Sequence, residues 1–507
     1  MTPEEGLGVE KDALGEPMTE DAHDSPLPRE IAPTTLGIAL SQGTYDSQPS
    51  SPSPYREIAP NTVVPPSHVL PPGFRGPIPR DSDAETFAPL PSFVPVHENA
   101  SLGNVTNFPM NKGGWRYTAA GPAAHWLPKT VFRSLEFLPD GVHWSWQDRS
   151  AFTRISQNAM TLGVDKGFRS ARTNVGVRHG AWYVEIEVLP PDASSLPATP
   201  MRDGPHARVG FGRREASLNA PVGWDAYSYG YRDQNGAKVT CSRPAPFGRA
   251  FGVGDVVGMY IRLPPSDAPL FPGTEHQIHQ KRIPIRYRGQ LYFESLEYPV
   301  TKEMDAVMDK ARHGEDAVAP SKSNEREEKR PARSTGASQP LRPLPVLPES
   351  CIGFVVNGAP QGIAFTHLYD FRPLCAHPSV AKGKREKKRG EGANSTPEPV
   401  ITQHTSVSTI MRSRQNAFDD GTLGYYPMVS LYGGARARLI TREFVFPPPA
   451  DLEDQLWGCT AQRGENAVHK SAAPLWRPLE DRFQEHLAEL EACDARAEQD
   501  TQPDNSD

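Results

Sequence analysis

Proline limits this chain more than any other residue. There are 54 prolines and 42 glycines among 507 residues. Proline fixes φ and removes a backbone donor, so long stretches cannot be helix. Its share is about twice the usual value of roughly 5%, and 19 prolines fall within the first 110 residues. There they mix with Ser and Thr, and no apolar period of 2 or 3.6 is sustained. Such a segment buries too little apolar surface to offset the entropy of ordering it. Residues 1–112 are expected to form a disordered arm.

The texture changes near Trp115. Short alternating or apolar runs bounded by Gly, Pro and Asn continue to about Phe446, which predicts an all-β domain over 113–446. Ala181 to Val188 sets Trp182, Val184, Ile186 and Val188 on one face and Tyr183, Glu185 and Glu187 on the other, as a half-buried strand does. Ala226 to Arg232 alternates as well, with Tyr227, Tyr229 and Tyr231 on one face and Ser228, Gly230 and Arg232 opposite. Gly254 to Leu263 and Tyr425 to Tyr432 read as strands. Asn357-Gly358 between apolar runs predicts a hairpin, because this dipeptide suits turns with positive φ. Two hydrophilic stretches, about 301–345 and 381–420, read as surface-loop insertions, whose closure entropy grows only slowly with length. The tail, 447–507, contains one apolar helical stripe, Leu479, Phe483, Leu487 and Leu490, which predicts an amphipathic helix over 478–492.

Several function classes are excluded by what is missing. The chain lacks GxxxxGK[ST], GxSxG and HExxH patterns, so no catalytic residue is assigned and no cofactor is expected. Cys241, Cys351, Cys375, Cys459 and Cys493 are odd in number and never spaced C-x-x-C, which supports neither a disulfide framework nor a zinc site. A net charge of -7 is too mild to announce a nucleic-acid or membrane surface. No apolar run reaches the roughly 18 residues of a membrane span, and a soluble intracellular protein is expected.

Read in order, Val177 to Glu185 and Ala207 to Phe211 resemble the SPRY domain, a bent antiparallel β-sandwich used for protein recognition. A closer likeness is carried by Leu218 to Asp225, Tyr227 to Arg232, Gly252 to Pro264, Tyr292 to Glu294 and Tyr426 to Tyr432. Together these are similar to the Ash-two/Bre-two family, the SPRY subunits of COMPASS-type histone H3 lysine-4 methyltransferase complexes. The likeness spans about Leu162 to Arg442 less the insertions. Since no Cys/His cluster precedes residue 200 at zinc-ligand spacing, the chain resembles the shorter fungal form.

The resemblance implies a non-catalytic nuclear subunit working with a SET-domain methyltransferase. Its basic pocket, Arg208, Pro221, Trp224 and Arg232, would hold an acidic segment of a WD-repeat propeller subunit. Trp224 stands where a tyrosine is more usual, and it cannot offer a phenol. Two arginines can fork onto carboxylate or phosphate beside an apolar wall. The resemblance also implies that Leu479, Phe483, Leu487 and Leu490 dock the terminal helix on a small DPY-thirty-type dimer.

Rival readings rest on particular residues. Glu185 and Glu187 lie about 7 Å apart on one strand face, within the range of glycosidase carboxylate pairs, but acids at i and i+2 are the ordinary polar side of a strand. A SPRY adaptor of another complex, such as a ubiquitin ligase, would share the fold but needs a partner module not seen here. The basic run of Lys382, Lys384, Arg385, Lys387, Lys388 and Arg389 reads as a nuclear import signal in a solvated loop, with weak DNA or nucleosome contact as the alternative.

Overall fold

The computed structural model describes residues 76–98, 100–111, 114–191, 204–265, 282–298, 300–313, 341, 343–372, 421–462 and 476–500. The basic run 382–389, Cys375, residues 1–75 and most of both insertions lie outside the described residues.

Two sheets face one another. The first has seven strands in the order Arg243–Ala245, Lys238–Thr240, Ser228–Arg232, His206–Gly212, Tyr426–Tyr432, Arg169–Thr173 and Trp144–Arg149. The second is larger and runs through Ser92–Pro95, Leu102–Thr106, Thr153–Ser156, Thr161–Val164, Arg436–Ile440, Gly180–Leu189, Val256–Leu263, Cys351–Val356 and Ala359–Thr366. Pairing in both is antiparallel, apart from a two-residue parallel contact of Arg477–Pro478 with Trp182 and Tyr183. Between them lies one core, to which the first sheet gives Val209, Phe211, Tyr229, Tyr231 and Val429, and the second gives Trp182, Val184, Ile186, Met259, Ile261 and Phe354. A four-stranded sheet, Ile283–Tyr287, Gln290–Leu296, Trp115–Pro122 and Phe132–Ser134, lies beside them. The all-β sandwich is as expected.

The alternations explain which side chains fill the core, and they also show where the sequence reading was incomplete. The Asn357-Gly358 turn, with φ of 50° and 75°, joins Cys351–Val356 to Ala359–Thr366 as a hairpin. Tyr229 and Tyr231 point into the main core, but the strand begins only at Ser228, so Tyr227 leaves the alternation. It packs instead with Val222, Met304 and Met428.

Four expectations are corrected. Part of the expected arm is ordered: Ser92–Pro95 and Leu102–Thr106 extend the larger sheet, pairing Leu102 with Ser156 and Gly103 with Ile155. These strands are short, and the pairing that joins them to the larger sheet links Leu102 with Ser156, beyond the reach of a local window. Pro95 is tolerated because it occupies an edge strand.

The first insertion opens with a helix, α1 (Lys302–His313). Thr301 Oγ1 accepts from the Met304 N–H at 3.3 Å, an N-cap that stabilises the first turn, and Met304 is buried.

The tail contains a second helix, α2 (Leu452–Gln462). It roofs the outer face of the larger sheet: Leu452, Leu456 and Trp457 pack with Tyr183, Tyr260, Cys351 and Ile363. Glu185 on that face is therefore fully buried, not solvated. Its carboxylate accepts the Val445 and Phe446 N–H groups at 2.7 and 3.1 Å, and burial pushes its pKa up despite those bonds. It serves as a structural cap for the crossing chain.

The last helix, α3 (Arg482–Asp500), follows one 3-10 turn, Leu479–Asp481. It begins later and runs further than the expected 478–492.

Candidate partner-binding site

Strands His206–Gly212 and Ser228–Arg232 pair so that Arg208 stands directly opposite Arg232. Their neighbours Ala207, Val209 and Tyr231 are buried in the core, so by alternation both arginines leave the outer face, and both are half-exposed. Like charges directly opposite on a sheet are unfavourable for folding. The fold nevertheless keeps two arginines in adjacent positions on this face.

The loop carrying Pro221 and Trp224 is laid onto this face by serine hydroxyls. Arg208 is also in register with Ser430, and Ser430 with Ser170. Ser430 Oγ accepts the Val222 N–H at 2.7 Å, and Ser170 Oγ donates to the Ala220 carbonyl at 2.6 Å. The two hydroxyls lie 2.7 Å apart. Since the Ser170 proton goes to Ala220, Ser430 donates to Ser170. Ala220, Pro221 and Val222 are thus pinned one strand away from Arg208.

The turn closes with Trp224 N–H donating to Pro221 O at 3.0 Å. Gly223 adopts φ of 83° and donates to Ser228 Oγ at 2.9 Å. A Cβ there would come within 2.4 Å of Val239 O, so glycine is required twice over. The Trp224 side chain is left 41% exposed. Asp225 secures the far end, accepting from Ser217 N, Tyr227 N and Ser228 Oγ at 2.9–3.0 Å. Burial raises its pKa against the pull of those bonds.

Beneath the loop is a buried polar floor that sequence reasoning missed. Arg172 Nη1 donates to the carbonyls of Arg213, Arg214 and Ala216 at 2.8, 2.8 and 3.1 Å. Asp148 sits beside Arg214 at 2.7 Å and accepts from Asn111 at 2.7 Å. Burial alone would raise the Asp148 pKa, but Arg214, Arg172 and Arg116 outweigh it and bring it down to about 2. Arg172 shares a strand face with Ser170, but only the fold reveals that three carbonyls converge on it.

The other expected surface is placed differently. Leu479 and Phe483 are 1% and 2% exposed inside the sandwich core, and Leu487 packs against that core. Leu490 is half-buried. Further along α3, Asp494 accepts the Ser134 N–H at 2.8 Å and pairs with Arg282 at 2.5 Å, while Glu498 accepts the Lys129 and Thr130 N–H groups at 2.5 and 2.7 Å. His486 meets Glu136 at 2.9 Å. Leu479 and Phe483 are therefore packing residues of the chain's own body. A 3.6-residue stripe says that a face is covered, not by what.

Among the described residues there is no cluster of His, Cys, Asp or Glu suited to a metal ion, and no helix is long and apolar enough to cross a membrane. No family model matches the chain. It is similar to the Set1 complex component ash2 of Schizosaccharomyces pombe, 35% identical over 427 residues that cover 84% of this chain and 52% of that protein. The COMPASS component cclA of Colletotrichum higginsianum is 30% identical over 536 residues, covering 96% of this chain and 85% of that protein. The chain thus spans about half the length of the first of these relatives and most of the second. A solved SPRY domain, that of human HERC1, aligns with 59% of this chain and 99% of its own at 9% identity and a TM-score of 0.26, too slight a likeness to carry an argument. Similarity along nearly the whole of the cclA component establishes the relationship: the chain belongs to the Ash2/Bre2/cclA family of COMPASS components.

Proposed function

We propose that this chain is a non-catalytic subunit of a COMPASS-type complex that methylates histone H3 lysine-4 in the nucleus, and that its outer-face basic pair docks an acidic segment of a WD-repeat subunit. The observation that carries this reading is the register of Arg208 with Arg232, flanked by the loop of Pro221 and Trp224. Two arginines in register on one sheet face can both turn toward a carboxylate or phosphate and make charge-assisted contacts with it. The sandwich supplies rigidity and the complex supplies the SET-domain enzyme.

Contact with a small helical dimer of DPY-thirty type is proposed for α3 through Leu490 and the exposed positions Ala488, Glu491 and Ala492, since Leu479 and Phe483 are committed to the core. The test is reconstitution. The purified chain with S-adenosylmethionine and histone H3 should transfer no methyl group, and leaving it out of an otherwise complete complex should lower lysine-4 methylation. Methyl transfer by the chain alone, or an unaffected complex, would overturn the proposal.

A further inference from the structure

Beside the basic pair, two register positions further along the strands, the outer face carries an aromatic row of which only Phe168, through Arg208, has a part in holding an acid. Tyr432 is in register with His206, and Phe168 precedes Arg169, which pairs with Leu431. Alternation therefore puts Phe168, Tyr432 and His206 side by side on the face that bears Arg208. Phe168 and Tyr432 have ring centroids 5.0 Å apart, and His206 and Tyr432 6.1 Å apart, at interplanar angles of 36° and 31°. The Arg208 Cζ lies 4.8 Å over the Phe168 ring. His206 Nδ1 is held by Asp233 Oδ2 at 3.0 Å, and the same carboxylate oxygen accepts the Ala207 N–H at 2.9 Å. All three rings are half-exposed.

We infer that this row is a second subsite, which takes a large aromatic or aliphatic side chain two residues away from the acid held by Arg208 and Arg232, so that the site reads an extended acidic segment of a partner protein by an acid-x-apolar or apolar-x-acid pattern. The inference rests on the docking role proposed for the basic pair. Its geometry is that of two strands: rows of a sheet repeat every second residue, about 7 Å apart, as do same-side side chains of an extended ligand. Stacking on Phe168 also pre-orients the Arg208 guanidinium, so less rotamer freedom is lost on binding.

An oriented peptide library with a fixed central glutamate and randomised flanks, captured by the full chain at moderate salt, tests the pattern. Enrichment of Phe, Tyr, Leu or Met two positions from the glutamate, by about tenfold over Ala, is expected. Tyr432→Ala should erase that enrichment and keep the requirement for glutamate, while Tyr432→Phe should retain both. Flat selection at those positions, with glutamate still required over glutamine and lost in Arg208→Gln, overturns the subsite and leaves the basic pocket standing. Equal capture of glutamine and glutamate libraries, or no capture, overturns the pocket and the subsite together.

Discussion

The outer faces of the two large sheets are built from the same kind of alternation and end in opposite states. On the larger sheet, Tyr183, Glu185 and Tyr260 are fully buried because α2 and the 444–446 segment lie over them. Even the charged groups are consumed there: Glu453 accepts from Tyr260 Oη and from Trp457 Nε1 and pairs with Arg262. On the seven-stranded sheet, the loop of residues 217–224 covers only part of the face, leaving Arg208, Arg232, Tyr432 and Trp224 at the surface. A roof turns polar strand residues into structure, and among the described residues the seven-stranded sheet carries only a partial one.

The strongest way to break this contrast is to thin the roof. Leu456 is fully buried beneath α2, and Leu456→Ala should destabilise the fold by about 2–5 kcal/mol through lost burial and a residual cavity. Denaturant unfolding should show the loss, while acidic-peptide affinity at the basic pair stays unchanged. Lost affinity in still-folded protein would mean that the two faces are coupled.

The open face has its own buried support, which acid should reveal. The Asp148 carboxyl, ordinarily near 3.8, is held at about 2 in the folded state. A depressed acid stabilises the fold fully above its unfolded value, and that contribution fades as pH falls from about 4 through about 2. A shift of this size corresponds to about 2–3 kcal/mol. Unfolding free energies measured across that window should fall less steeply in Asp148→Asn by that amount, and parallel curves would place the acid sensitivity elsewhere.

At the pocket itself, Arg208→Ala and Arg232→Ala should each weaken a WD-repeat partner's acidic segment by about 2 kcal/mol, the scale of a charged hydrogen bond. Both variants should remain folded, since contacts of half-exposed arginines add little to stability. Calorimetry at moderate salt with both variants unchanged would move the site off this face.

How much of this could be read from residues alone follows from the range of each signal. Alternation in Ala181 to Val188 and the Asn357-Gly358 turn are local, and both appear in the structure. So does the outward turn of Arg232, because Tyr229 and Tyr231 mark the inward face. Most of what failed was non-local. Glu185 looked solvated because nothing in its own strand announces α2, more than 250 residues away. The stripe from Leu479 to Leu490 showed burial without naming its cover. Thr301 with Met304, Val307 and Met308 at helical spacing did carry a capped-helix signal, but the charged sequence around it hid the pattern. Arg172 and Asp148 gave no local sign, since their partners gather only when the 213–216 turn folds over the sheet.

The smallest predicted effect isolates the apolar wall of the pocket. Trp224 occupies the turn through its backbone: its N–H donates to Pro221 O, and its carbonyl accepts from Ser242 Oγ at 2.9 Å. Neither bond involves the indole, which is 41% exposed. At this exposure Trp224→Ala should change stability by no more than about 1 kcal/mol. Binding should still weaken by about 1 kcal/mol, the scale of an aromatic or cation–π contact with a ligand lying between the ring and the arginines. Trp224→Tyr keeps a flat ring and adds a phenol, so it should bind at least as well as the parent. Calorimetry paired with thermal melting separates the outcomes. A melting point that falls with affinity would show that the ring braces the loop, and Trp224 would then belong with the roofed face, as structure that only borders a site.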